Sequence, residues 1–272
     1  MLIDAHAHLN FKAYEKDADE IIKKSLDNNV WMINVGTNLK TSQCAALLAK
    51  KHKEGVYAAI GLHPINLDTG LIKIKKDETE GGHFETEFDF EKYKMLAQCP
   101  KVVAVGEIGL DYWRRPKSKK KRQEFKQKQK ELFLKEVKLA QKLNLPIILH
   151  CRLAFDDLLE ILKKIKTRHR GVLHCFTGDW KQAREFMDLG FYIGLNGIIF
   201  KLDLNKVIEK TPLDKILIET DCPFLTPPKF GESRNEPIYV KEVVKKIAQI
   251  KKIDLKKVED ATTKNAKDLF KI

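Results

Sequence analysis

Met1-Leu2-Ile3-Asp4-Ala5-His6-Ala7-His8 opens the chain and sets a pattern that the remainder repeats. Period-two alternation puts Asp4, His6 and His8 on one face of a strand. An aspartate and two imidazoles on one face of an otherwise apolar strand are costly to bury without a partner. A divalent metal suits both residue types. Taken alone, the stretch is also compatible with a surface strand carrying two incidental histidines. The residues after it decide: 14–28 read as an amphipathic helix, with Ala18, Ile21, Ile22 and Leu26 on one side.

Strand-then-helix recurs to the end of the chain. Residues 30–35 read as a strand ended by Gly36, and Thr41 is placed to cap a helix running to 53. Further strands are expected at 56–61, 102–108, 146–150, 171–176, 191–195 and 216–220. The helices between and after them fall at 90–98, 123–143, 154–167, 180–189, 204–210, 237–251 and 255–270. Alternation of this kind implies a parallel sheet. Eight units over 272 residues imply a closed (β/α)8 TIM barrel of α/β class, one domain spanning 1–272. The alternative is an open doubly wound sheet. No G-x-G-x-x-G or G-x-x-x-x-G-K-[ST] occurs, which removes the main support for dinucleotide or P-loop binding.

The polar residues gather at the strand ends. His6 and His8 close the first strand, His63 the third, Glu107 the fourth, His150 the fifth and His174 the sixth; Glu219 and Asp221 close the eighth. A barrel brings these C-terminal ends to one face, where enzymes of this architecture place their sites. Five of the eight histidines lie there; His52, His83 and His169 sit in polar stretches and read as surface residues. Imidazoles and carboxylates without thiolate suit Mg, Mn or Zn, and the donors suffice for two ions. A carboxylate such as Glu107 can bridge two metals, one of which lowers the pKa of a water. Asp221 can both ligate and take the proton of that water.

Composition sets further bounds. With 51 Lys plus Arg against 38 Asp plus Glu, the formal net charge is +13. That balance favours an anionic partner such as nucleic acid, although solvated helix faces also absorb lysines. The five cysteines are scattered and form no C-x-x-C pair, which argues against a disulfide framework and fits a reducing, cytoplasmic setting. No apolar run approaches the ~18 residues of a membrane span, and no secretory signal pattern is seen at the N-terminus.

Asp4-Ala5-His6-Ala7-His8, Gly61-Leu62-His63-Pro64, Gly106-Glu107-Ile108-Gly109-Leu110-Asp111, Leu149-His150-Cys151-Arg152, His174-Cys175-Phe176-Thr177-Gly178 and Glu219-Thr220-Asp221-Cys222-Pro223 together resemble the TatD family of metal-dependent deoxyribonucleases. Arg234-Asn235-Glu236-Pro237 and Asn265-Ala266 fit its closing signatures, so the resemblance covers essentially the whole chain. It implies an amidohydrolase-like barrel and a divalent-dependent phosphodiesterase acting on DNA, single-stranded DNA included, with 3′→5′ exonuclease action favoured and endonuclease action open. Carried over, His6, His8, Glu107 and Asp221 are expected ligands of one metal, and Glu107, His150 and His174 of the second. Glu219 is a candidate for a third, weaker site. His63 and Arg152 are expected phosphate contacts, His63 also counting with Asp221 and Glu107 in the catalytic set. The alternative for Arg152 is a structural ion pair at the barrel rim.

Cys151, Cys175 and Cys222 each come directly after a proposed ligand, so alternation turns them toward the helices as small buried groups. Residues 68–87 read as a charged surface excursion of open function. The stretch 112–130 holds ten Lys or Arg and one acid, Glu124; it either guides a polyanion or is a solvated helix face. Trp113, beside Arg114 and Arg115, either stacks on a base or packs its loop against the barrel. Hydrolysis of a small amide, lactone or phosphoester on the same barrel, and a binding protein without catalysis, are the competing functions. No membrane and no obligate protein partner is indicated.

Overall fold

The computed structural model describes residues 1–73, 79–81, 83–165 and 170–272. Its strands are β1 (Leu2–Ala7), β2 (Val30–Val35), β3 (Val56–Ile60), β4 (Val102–Asp111), β5 (Ile147–Arg152), β6 (Gly171–Leu173), β7 (Phe191–Leu195) and β8 (Ile216–Ile218). The helices are α1 (Ala18–Asp27), α2 (Leu39–Lys50), α3 (Phe90–Leu96), α4 (Lys119–Leu143), α5 (Phe155–Lys164), α6 (Trp180–Asp188), α7 (Asn205–Lys210), α8 (Val240–Lys251) and α9 (Leu255–Phe270). The strands pair in parallel in sequence order, β1 to β8. β8 then returns to β1 through a parallel bridge between Ala7 and Cys222, with Asp221 N donating to His6 O at 2.8 Å and His8 N to Cys222 O at 3.0 Å. The (β/α)8 barrel is therefore closed at the site end.

Two apolar layers arise from strand alternation. Leu2, Met32, Ala58, Leu149, Leu173 and Ile218 join the buried faces of the helices, so that side of each strand looks outward. Ile3, Ile33, Ala59, Ile148, Val172 and Leu217 form the interior, together with Leu269 and Phe270 of α9. Trp31, Tyr57 and Tyr192, at or near the strand starts, pack on the same group. The last helix thus covers one mouth of the barrel and leaves the other to the site.

Several local expectations are corrected. Asn38, not Thr41, caps α2: its side chain accepts from Thr41 N at 2.9 Å while Thr41 Oγ1 accepts from Asn38 N at 3.0 Å. The helix expected from 14 begins at Ala18, after a 3₁₀ turn at Lys12–Tyr14. Pro237–Tyr239 is likewise a 3₁₀ turn before α8. β4 runs on to Asp111 and α4 starts at Lys119, so the basic stretch is a short loop and then helix. β6 and β8 stop at Leu173 and Ile218, leaving His174, Glu219 and Asp221 just beyond the strands.

Residues 68–87 are more than a surface excursion. Leu67 bridges to Glu85, and Glu80 Oε1 accepts from Asn66 Nδ2 at 2.7 Å, from Asn38 Nδ2 at 3.2 Å and from the Thr37 hydroxyl. The segment is thereby docked on the loop after β2; residues 74–78 and 82 lie outside the described residues. His83 is exposed and His52 half-buried, while His169 also lies outside the described residues. Among the described residues, no helix is long and apolar enough to cross a membrane.

Candidate metal centre

Glu107 sits at the middle of the site because β4 and β5 approach closely there. Gly109, at φ +145°, permits this: a Cβ on it would stand 2.0 Å from His150 O. Glu107 Oε2 lies 3.3 Å from His6 Nε2. Its other oxygen, Oε1, lies 2.7 Å from His150 Nδ1, 3.4 Å from His63 Nε2 and 3.7 Å from His174 Nε2. One carboxylate therefore faces imidazoles that stand in or just past β1, β3, β5 and β6. Burial alone would raise its pKa, but His63, His174 and His6 hold it well below the ordinary glutamate value.

Asp221 completes the second half. Its Oδ1 is 3.4 Å from His8 Nε2 and 3.8 Å from both His6 Nε2 and His174 Nε2. Burial opposes its ionisation, yet His174 and His8 keep its pKa lowered. Asp221 adopts φ +58°, a left-handed backbone that turns it back over the centre. His8 Nδ1 lies 2.8 Å from Val35 O, which fixes the proton there and frees Nε2 as a donor to a metal. His6 Nε2 is 3.0 Å from His8 Nε2, and its ring stacks on His174 at 3.6 Å. Burial, with His174 beside it, pushes His6 down to about 4, so it is neutral and competent to ligate.

The residues fit divalent cations. Ligand atoms of His6, His8 and Asp221 lie within 4.8 Å of one another, as do those of His63, Glu107 and His150. His6 Nδ1 and Glu219 Oε2 are buried without a hydrogen-bond partner among the described residues. Fully buried imidazole nitrogens packed against one another and against two ionised carboxylates are what a cation would reconcile.

All six expected ligands, His6, His8, Glu107, His150, His174 and Asp221, converge. His63 joins Glu107 and His150 in one group, whereas His174 groups with Asp221 and, separately, with His6 and Glu219. Glu219 Oε1 accepts from Cys175 N at 2.7 Å and Asn196 Nδ2 at 3.0 Å, and stands 2.9 Å from His174 Nδ1. It therefore orients His174 from behind. Arg152 ends β5 and forms no ion pair among the described residues; its guanidinium stacks on Trp113 at 4.5 Å.

Three side chains point elsewhere than alternation predicts or were not expected at all. Asp4 does not join His6 and His8: the β1–β2 register is irregular between Asp4 and Ala7, and Asp4 accepts from Thr220 N at 2.9 Å and Thr220 Oγ1 at 2.5 Å. Burial lifts it to about 8. Cys151 and Cys222 pack in the outer layer as expected, but Cys175 does not. Its φ of +46° breaks the alternation, and its Sγ lies within 4.8 Å of ligand atoms of His174 and Asp221. Asp111, absent from the expected set, lies 3.0 Å from His150 Nε2 through Oδ2 and accepts from Trp113 N at 2.8 Å through Oδ1. The signal for it was its place four residues after Glu107, at the end of a strand longer than expected.

The chain is similar to known proteins along its whole length. The family model described as TatD related DNase matches residues 3–271. The chain is 39% identical to the uncharacterized metal-dependent hydrolase YabD of Bacillus subtilis, each covered over its full length. It is 31% identical to the 3′-5′ ssDNA/RNA exonuclease TatD of Klebsiella pneumoniae, covering all of this chain and 98% of that one. The crystal structure of YJJV, a TatD homologue from Escherichia coli, matches with a TM-score of 0.82 at 29% identity, covering 100% of this chain and 98% of that one.

Proposed function

The chain belongs to the TatD-related DNase family and is a metal-dependent hydrolase acting on ester bonds, and on that premise we propose that it hydrolyses phosphodiester bonds of DNA as a 3′→5′ exonuclease. One observation carries the reading: the two oxygens of Glu107 face different donor groups, His6 on one side and His63, His150 and His174 on the other. A shared carboxylate of this kind suits a dinuclear centre. His6, His8 and Asp221 would hold one ion, and His150 with His63 or His174 the other; Glu219 would support a weaker third. Mg, Mn and Zn all accept such nitrogen and oxygen donors.

When bound, the ions supply Lewis acidity at a phosphoryl oxygen and an activated water. The chain does the rest. Asp221, held ionised, is placed to take a proton at Oδ1. Glu107 holds the donor groups in register. Arg152 presents a planar fork to a phosphate oxygen, and His63 Nε2 lies on the same side as His150. The protein works as one domain over 1–272 in the cytoplasm, with DNA as its partner and no obligate protein subunit.

End-labelled single- and double-stranded DNA, incubated with Mg²⁺ with and without EDTA, tests this. Cleavage stops with the chelator and falls roughly 10²–10⁴-fold in Asp221→Asn, the range for a lost general base. The ladder from the labelled end shrinks stepwise. Protein carrying its metals that leaves DNA intact with Mg²⁺, Mn²⁺ and Zn²⁺, yet hydrolyses a small ester or amide, would overturn the assignment.

A further inference from the structure

Trp113 stands in the open at the rim of the metal centre. The residue is 57% exposed, whereas Tyr112 beside it is buried and, through its N–H to Arg152 O at 2.8 Å, already ties this loop to the barrel. Trp113 is nonetheless held in place. Its backbone N–H donates to Asp111 Oδ1 at 2.8 Å, and the other oxygen of that carboxylate lies 3.0 Å from His150 Nε2. One face of the indole carries the Arg152 guanidinium, 4.5 Å from the ring centroid. Arg152 leaves β5 two residues after His150, and the chain then turns at Leu153, which has a φ of +56° in the region that favours glycine. An aromatic ring, a guanidinium and the metal ligand His150 are thus connected through one carboxylate and one strand end.

We propose that Trp113 is a nucleobase platform. The indole face away from Arg152 stacks a base of a single-stranded nucleic acid, while the edge of the Arg152 fork meets the backbone phosphate next to it. This rests on the phosphodiesterase reading and adds to it the reason for strand preference. A base inside a duplex has both faces covered by its neighbours and has no face to offer the indole; an unpaired base does. Stacking tolerates any sequence, because every base has a π-face. The carboxylate of Asp111 ties the backbone that carries the indole to His150, so a stacked base sets the distance at which its phosphodiester reaches the centre.

The test is a cycle of protein and ligand. Binding of a labelled, phosphorothioate-linked single-stranded oligothymidylate is measured by anisotropy for the wild type, Trp113→Ala and Trp113→Phe. The same oligonucleotide carrying one abasic site, moved position by position, is the second axis. Trp113→Ala weakens binding roughly 5- to 150-fold, the size of one base–aromatic stack, and Trp113→Phe keeps most of the affinity. At one abasic position the wild type loses a similar factor, and there Trp113→Ala costs nothing more. An equal cost of Trp113→Ala at every abasic position, which a ring that merely steadies Arg152 would give, overturns the proposal. So does an unchanged affinity. Failure of the platform in an enzyme that still cuts DNA leaves the nuclease reading standing. Coupled stacking in a metal-loaded protein that cuts no DNA supports the platform and removes the nuclease.

Discussion

Asp111 shows how much of the centre depends on a residue outside the donor set. His150 lies between two carboxylates, Glu107 at 2.7 Å and Asp111 at 3.0 Å. Burial would lower its pKa, but the two partners raise it to about 9. Asp111 itself is held below the ordinary aspartate value, despite burial, by the His150 contact. Asp111→Asn keeps the shape and the acceptor but loses the charge that fixes the ring. Metal affinity is expected to drop about 10–100-fold, as for other partners of ligating histidines, measured by competition with a chromophoric chelator. An unchanged affinity would mean that packing alone orients His150. The convergence of the candidate donors was legible because residues of ligand type stand at or just past strand ends, which a barrel brings to one face. Asp111 was not selected because β4 was expected to stop at Ile108. Cys175 and Asp4 were misdirected for a different reason. Alternation assumes unbroken strand geometry, and a left-handed residue in one case and an irregular register in the other break it with no local mark in the sequence.

At the scale of elements, α4 supports the loop after β3 through one buried acid. Glu136 is fully buried, and its Oε1 accepts from Leu62 N at 2.8 Å, one residue before His63. Its Oε2 has no partner among the described residues, and Glu85 and Tyr93 lie nearby. Burial pushes the Glu136 pKa well above the ordinary value. A carboxyl raised in the folded state favours folding most fully below the unfolded pKa, near about 4.3. That contribution is lost as pH rises toward the folded pKa. Glu136→Gln keeps the acceptor and cannot ionise. Its stability relative to the wild type is therefore expected to improve from about pH 5 to about pH 8, seen as converging or crossing urea midpoints. A difference independent of pH would show that Glu136 is already ionised in the folded protein at pH 5. β2, β7 and α9 fall where apolar periodicity places them. Helix starts were less legible, because Asn38 and Thr41 are both good caps and only the turn after Gly36 decides between them. The long α4 begins in a run of lysines, where periodicity gives no signal.

At the scale of the molecule, the formal charge of +13 is gathered in part beside the centre. Arg114, Arg115 and Lys117 are exposed on the loop between β4 and α4. Each phosphate contact made with a single strand adds about 0.7 to the slope of log affinity against log salt. Replacing all three by Gln is expected to make that slope shallower by up to about 2, measured by titrating a labelled oligonucleotide over a range of KCl. An unchanged slope would identify this loop as a solvated face. The closure of the barrel has a consequence for how the protein is made. Asp221, whose N–H meets His6 O, is synthesised 215 residues after His6. At ~5–20 residues per second, the early imidazoles wait on the order of ten seconds or more for their carboxylate. Until the stretch after β8 emerges from the ribosome the nascent chain holds only part of the candidate donor set, so the centre cannot close before Asp221 is out.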